Sequence, residues 1–153
     1  MKKKIYAWEP WFMMFFGLFH LHRIWALVDR ESYASFWLGI MRNKGAAYFI
    51  IMGVLAGLCV LGIVTFVRNR GRNYLWRWIY IFGGGYLLFD LAAIATGMKY
   101  WDALLMRMFD TASPYWNVIW SFFIVLGGCV FALGVSLMRK RAAQKNGILD
   151  EWE

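Results

Sequence analysis

Three polar side chains, His20, His22 and Arg23, stand close together in an otherwise apolar run, and Asp90 is the one acid in another. An imidazole can accept or pass a proton, a guanidinium can hold an anion, and a carboxylate can pair with either. An ionised Asp at bilayer depth costs about 3 kcal/mol on insertion scales, so such a group must face protein or water and meet a partner. His20 and His22 are two positions apart, roughly 200° around a helix, and cannot both face one neighbour. Arg23 falls nearer the His20 side and can snorkel toward the outer interface. At ~1.5 Å per residue, His22 lies ~16 Å from Trp11 and Asp90 ~18 Å from Trp78, so their depths agree. The expectation is a polar centre in which Asp90 meets a donor from the first span, with His22 the first choice and Arg23 the second. Such a centre can bind a headgroup, an ion or a proton, or can act as a clamp that fixes helix register.

The elements that must position these groups are four apolar stretches, residues 11–28, 46–67, 75–97 and 115–138. Each supplies about the 20 residues that a helix needs to cross ~30 Å of hydrocarbon. Apolar residues make up 61% of the 153-residue chain and charged ones 17%, which excludes an ordinary soluble domain. The connections leave no room for a separate catalytic or nucleic-acid-binding domain. The fold class is therefore an all-α integral membrane protein, a single domain of four transmembrane helices in a bundle.

The net charge of +8 arises at the span ends and does not point to nucleic acid. Lys2, Lys3, Lys4, Arg68, Arg70, Arg72, Arg77, Arg139, Lys140, Arg141 and Lys145 all fall on one side, eleven of seventeen basic groups. The positive-inside rule then puts both termini in the cytoplasm. Compactness and the lysine-rich start suggest a bacterial inner membrane. Lys2–Lys4 before an apolar run resembles a signal peptide, but no small-x-small site follows Val28, so the first span reads as a retained anchor. Ten Trp, eight Tyr and thirteen Phe supply an aromatic belt. Trp8, Trp11, Trp76 and Trp78 fall at the inner interface and Trp37, Trp101, Trp116 and Trp120 at the outer one.

Both outer connections carry a helical stripe. Tyr33, Phe36, Trp37, Ile40 and Met41 recur at i, i+3, i+4, i+7 and i+8 after Ser32 as a cap, and Trp101, Leu104, Leu105, Met108 and Phe109 repeat that spacing. These read as short amphipathic helices at the extracytoplasmic interface. A shift of 68 residues relates the two stripes and carries Gly17 onto Gly85 and His22 onto Asp90. In the second helix of each half the shift becomes 70 and carries Gly57 onto Gly127. The pattern reads as a tandem hairpin repeat about an axis along the membrane normal, against coincidence in an aromatic-rich chain.

Gly53 and Gly57 form a GxxxG element, Gly83, Gly84 and Gly85 are consecutive, and Gly128 begins a small-xxx-small ridge with Ala132 and Ser136. Each can pack a neighbouring helix or a second copy of the chain. Cys59 and Cys129 lie at another level from the histidines, so no four-ligand set converges and neither a metal nor another cofactor is expected. Haem would need His from facing helices, which only a homodimer could bring. HExxH, GxSxG and P-loop signatures are all absent.

In outline the layout is similar to the four-helix EXPERA sterol-binding and isomerase proteins, which also place polar groups within a bundle. Residues 46–67 carry no charge where that likeness implies an acidic residue, and the chain is not assigned to the family. The functional expectation is a non-catalytic membrane protein that binds a lipid or hydrophobic molecule, or serves as an accessory or immunity partner of another membrane protein. The alternatives are a small homo-oligomeric transporter or channel using His22 and Asp90, and a lipid-modifying enzyme.

The orientation is open to a direct check. With Cys59 and Cys129 replaced by Ala, Asn146→Cys should stay unlabelled by an impermeant thiol reagent in intact cells and react after lysis. Labelling from outside would reverse the topology.

Overall fold

The computed structural model describes residues 5–68, 70–71 and 74–145. Lys2, Lys3, Lys4, Arg72 and residues 146–153 lie outside that description, as does whatever the sequence suggests for them. Every regular element among the described residues is an α-helix: α1 (Glu9–Leu21), α2 (Ile24–Val28), α3 (Arg30–Asn43), α4 (Ala46–Arg68), α5 (Arg77–Thr96), α6 (Lys99–Met108) and α7 (Trp116–Lys145). Four stretches are long and apolar enough to cross a membrane: α1 with α2 as Glu9–Val28, α4, α5 and α7.

Local chemistry sets most of the helix ends. Pro10 occupies the first turn of α1, where its missing N–H is no loss. Beside it the Glu9 carboxylate accepts from the Tyr6 backbone N–H at 2.8 Å. Gly97 closes α5 in the left-handed region at φ +66°, and the Met98 N–H returns to the Ala93 carbonyl at 3.0 Å. Helix α3 begins at Arg30, two residues before the expected Ser32 cap, because Asp29 is already extended. Pro114 stands in the turn before α7 and not inside it. At 30 residues α7 is ~45 Å long, more than the ~30 Å that a bilayer crossing requires, and Arg139, Lys140, Arg141 and Lys145 fall in its last two turns.

The chain divides into two compact units. One is drawn from the chain up to Arg30 and from Pro114 onward, and the other is Glu31–Ser113. In the first, α1 and α2 pack on α7. Their axes come together where neither helix has a side chain. A Cβ added to Gly17 would sit 2.5 Å from the Phe131 nitrogen and 2.7 Å from the Gly127 oxygen. One added to Gly134 would lie 2.8 Å from the Met14 nitrogen and 2.9 Å from the Pro10 oxygen. Pro10, Met14, Gly17 and His20 follow one stripe of α1, and Gly127 and Gly134 one stripe of α7. Met13, Leu137, Trp116 and Trp120 are buried around this seam.

In the second unit α4 packs on α5. Gly84 admits the α4 backbone, since a Cβ there would meet the Cys59 oxygen at 3.3 Å. Leu55, Cys59 and Gly62 on α4 and Tyr80, Leu91 and Ala93 on α5 are buried. Helices α3 and α6 meet through Tyr33 and Phe109, stacked with centroids 6.0 Å apart, and through Arg42, which donates to the Met106 sulfur at 3.7 Å. An added Cβ at Gly53, Gly57, Gly85 or Gly128 meets no heavy atom within 4 Å, and at Gly83 only an Ile79 methyl of its own helix.

These contacts rank the glycines. Gly17→Ala should cost about 1–3 kcal/mol by overpacking against backbone, whereas Gly57→Ala should stay within about 0.5 kcal/mol of the parent. Thermal unfolding of both variants in detergent checks this, and equal melting temperatures would refute the seam.

Candidate functional site

The first span is not a continuous α-helix. At His22 and Arg23 the backbone tightens: the Arg23 N–H bonds the His20 carbonyl at 3.2 Å, Trp25 bonds His22 at 3.1 Å and Ala26 bonds Arg23 at 2.9 Å. These are i→i−3 bonds, the 3₁₀ pattern that within a helix often marks a functional hinge or a sequence under strain. Thus α1 ends at Leu21 and α2 starts at Ile24, with two of the candidate polar residues in the break between them.

His20 is buried against α7. Its ring centroid lies 6.2 Å from that of Phe123 and 5.1 Å from that of Phe16, and its Cβ is the atom that a side chain on Gly127 would strike first, at 2.5 Å. Its Nδ1 lies 3.1 Å from the Phe16 carbonyl oxygen. His22 is half-buried, its Nδ1 against the Phe19 carbonyl and its ring 5.1 Å from the Phe19 ring. The Arg23 guanidinium carbon stands 5.0 Å from the Phe123 centroid and 5.6 Å from that of Phe19. Such cation–π contacts are worth about 2 kcal/mol or more when desolvated, of the order of the insertion cost of an arginine. The His20 ring also lies 6.1 Å from that of Phe19, so His20 and Arg23 border the same pair of rings, Phe19 and Phe123, and both touch α7 through Phe123.

Two further bonds hold this end of the first unit. The Trp116 indole donates to the Ala26 carbonyl at 2.7 Å, and Arg30 donates to the Asn117 side-chain oxygen at 2.9 Å. The short piece of the span after the break is thereby fixed to the start of α7.

Asp90 lies in the other unit. It is half-buried on α5, and its Oδ1 accepts from the Trp101 indole of α6 at 2.5 Å. The Phe89 and Tyr86 rings flank the same indole at 5.1 and 6.3 Å. This donor to Asp90 comes from α6, eleven residues on. In the sequence Trp101 reads as a residue of the belt and of the α6 stripe; the clue to its further role is Gly97, whose left-handed turn folds α6 back toward α5. Glu9 belongs with the buried polar groups as well. It is 1% exposed, and the Glu-Pro pair at the start of a span is its only mark in the sequence.

Among the described residues no group of three His, Cys, Asp or Glu side chains gathers as metal ligands. Cys59 is buried and Cys129 exposed, and both are free thiols. A groove of about 420 Å³ opens between α3 and the first turn of α4, lined by Ser35, Phe36, Ile40, Asn43 and Tyr48 among others; it includes none of the candidate polar residues. No family model, curated protein or solved structure matches the chain.

The indole–carboxylate bond is the most local claim to check, because α6 buries no residue of its own. Trp101→Phe should speed amide exchange over residues 99–108 about tenfold or more, as expected for loss of a hydrogen bond to a charged group. Asp90→Asn, which keeps an acceptor, should fall between that variant and the parent. Unchanged exchange in Trp101→Phe would show that α6 is held by other contacts.

Proposed function

We propose that this chain is a non-catalytic, multi-pass membrane protein that binds a lipid or other hydrophobic molecule at the polar break of its first span. The observation that carries the reading is Arg23. An arginine placed among spanning residues is retained at a cost, and such cations face protein, water or a ligand. Here it sits at a 3₁₀ turn with its guanidinium over Phe19 and Phe123, beside His20. Aromatic walls with a cation at the rim suit an amphiphile, whose apolar body takes the rings while its polar end takes the charge.

Binding is favoured over turnover by what the acid–base groups already do. His20 and His22 each spend Nδ1 on a backbone carbonyl, and Asp90 accepts from an indole. These bonds tie Nδ1 of both rings and Oδ1 of Asp90 into the fold and leave recognition to the remaining polar atoms.

The finer architecture belongs to the same proposal. The protein resides in a bacterial inner membrane with both termini cytoplasmic, and α3 and α6 lie along the outer interface. The chain arose by tandem duplication. In support, the spans Glu9–Val28 and Arg77–Thr96 are displaced by 68 residues at both ends, and α4 and α7 begin 70 residues apart. Each compact unit also joins one span from each half, α1 and α2 with α7 and α5 with α4.

Native mass spectrometry of the purified chain tests the binding. The parent should retain lipid through mild detergent removal, and Arg23→Gln should retain about tenfold less, the equivalent of ~1.4 kcal/mol. Arg23→Lys should restore only part, since an ammonium keeps the charge but loses the planar stack on the rings. A parent that retains nothing, or an Arg23→Gln variant that retains as much, would overturn the reading.

A further inference from the structure

The tautomer of His20 narrows what the break can hold; the step rests on the lipid-binding reading above. Nδ1 of His20 lies 3.1 Å from the Phe16 carbonyl oxygen. A carbonyl can only accept, so Nδ1 carries the proton, and in the neutral ring Nε2 is left as an acceptor. Among the described residues no donor meets Nε2. The residue is only 9% exposed, and its ring stands among those of Phe16, Phe19 and Phe123.

The neighbouring polar group has the opposite character. Arg23 borders the same Phe19 and Phe123 rings and can only donate. Complementing both requires a group that donates and accepts at once. A fully ionised phosphate or a carboxylate suits Arg23 but sets lone pairs against Nε2. An ammonium suits Nε2 but meets the guanidinium as a like charge. A hydroxyl satisfies both. We propose that the break in the first span binds a neutral amphiphile through a hydroxyl, the O–H donating to His20 Nε2 and the oxygen facing Arg23, with the apolar body against Phe19 and Phe123.

Three photoreactive probes with the same diazirine-bearing hexadecyl chain separate the alternatives: the alcohol, its methyl ether and its phosphate monoester. They are crosslinked to the full chain in phosphatidylcholine nanodiscs, and labelling of the segment 9–30 is quantified. The alcohol should label about five-fold more than the ether, which cannot donate, as expected for one neutral hydrogen bond. It should also exceed the phosphate. His20→Leu should bring the alcohol down to the ether level. His20→Gln, whose amide oxygen can take the place of Nε2, should keep most of the preference. If His20→Leu fails to fold by circular dichroism, the parent's alcohol-to-ether ratio and the Gln variant still decide. Equal labelling by alcohol and ether, a stronger phosphate signal, or an unchanged preference in folded His20→Leu would overturn the hydroxyl assignment and leave lipid binding standing. Absence of labelling in this segment by all three probes would overturn both.

Discussion

The contact on which the candidate site depends is backbone against backbone, where Gly17 of α1 meets Gly127 and Phe131 of α7. Between helices in hydrocarbon there is no hydrophobic drive, because lipid tails are as apolar as leucine, so association rests on close packing and on polar bonds. Glycine allows axes to approach until main-chain atoms touch, and many weak dispersion contacts then add up. The same approach sets the chemistry of the first unit. Gly127 is the residue whose missing side chain leaves room for His20, so the imidazole reaches Phe123 only because α7 has no Cβ at that point. The polar break follows directly on the seam, within one turn of His20.

Polar satisfaction supplies the second constraint. A backbone carbonyl released from the α-helical ladder is expensive where water is scarce. Around the break, i→i−3 bonds take up some of the carbonyls, and His22 and the Trp116 indole take up others, at Phe19 and Ala26. Indoles act here as single donors on apolar bodies, which is why Trp can both line a membrane interface and close a specific bond. Trp101 does the same for Asp90, giving a half-buried carboxylate a donor.

The spans are legible in the sequence because a run of 20 apolar residues seldom serves any purpose but crossing a bilayer, and four stretches emerge at the expected places. Their ends are less so. Hydropathy stops at Met138 while α7 runs to Lys145, since Arg, Lys, Ala and Gln are good helix formers that hydrophobicity does not register. The break at His22 and Arg23 carries no Gly or Pro to announce it. The packing glycines are hardest to choose. Gly53 and Gly57 match a motif within one helix, but the close approach in the first unit pairs Gly17 with Gly127, 110 positions apart, and no local pattern reports such a pairing. Gly84 alone among the consecutive glycines meets another helix, because only one of three neighbours in a helix can face a given partner.

Two ionisable groups within the candidate spans end up with different characters for a physical reason. Asp90 accepts from an indole whose own ring is packed by Phe89 and Tyr86, and its helix is turned toward that partner by Gly97. That arrangement satisfies a carboxylate with parts of the fold and leaves it the task of holding α6. Arg23 is stabilised by ring faces, which attract its charge without regard to the direction of any one N–H bond. Attraction to the rings therefore contributes to holding the cation beside His20. Asp90 is thus tied to one partner helix by a directed bond, whereas Arg23 meets two rings whose faces impose no single direction.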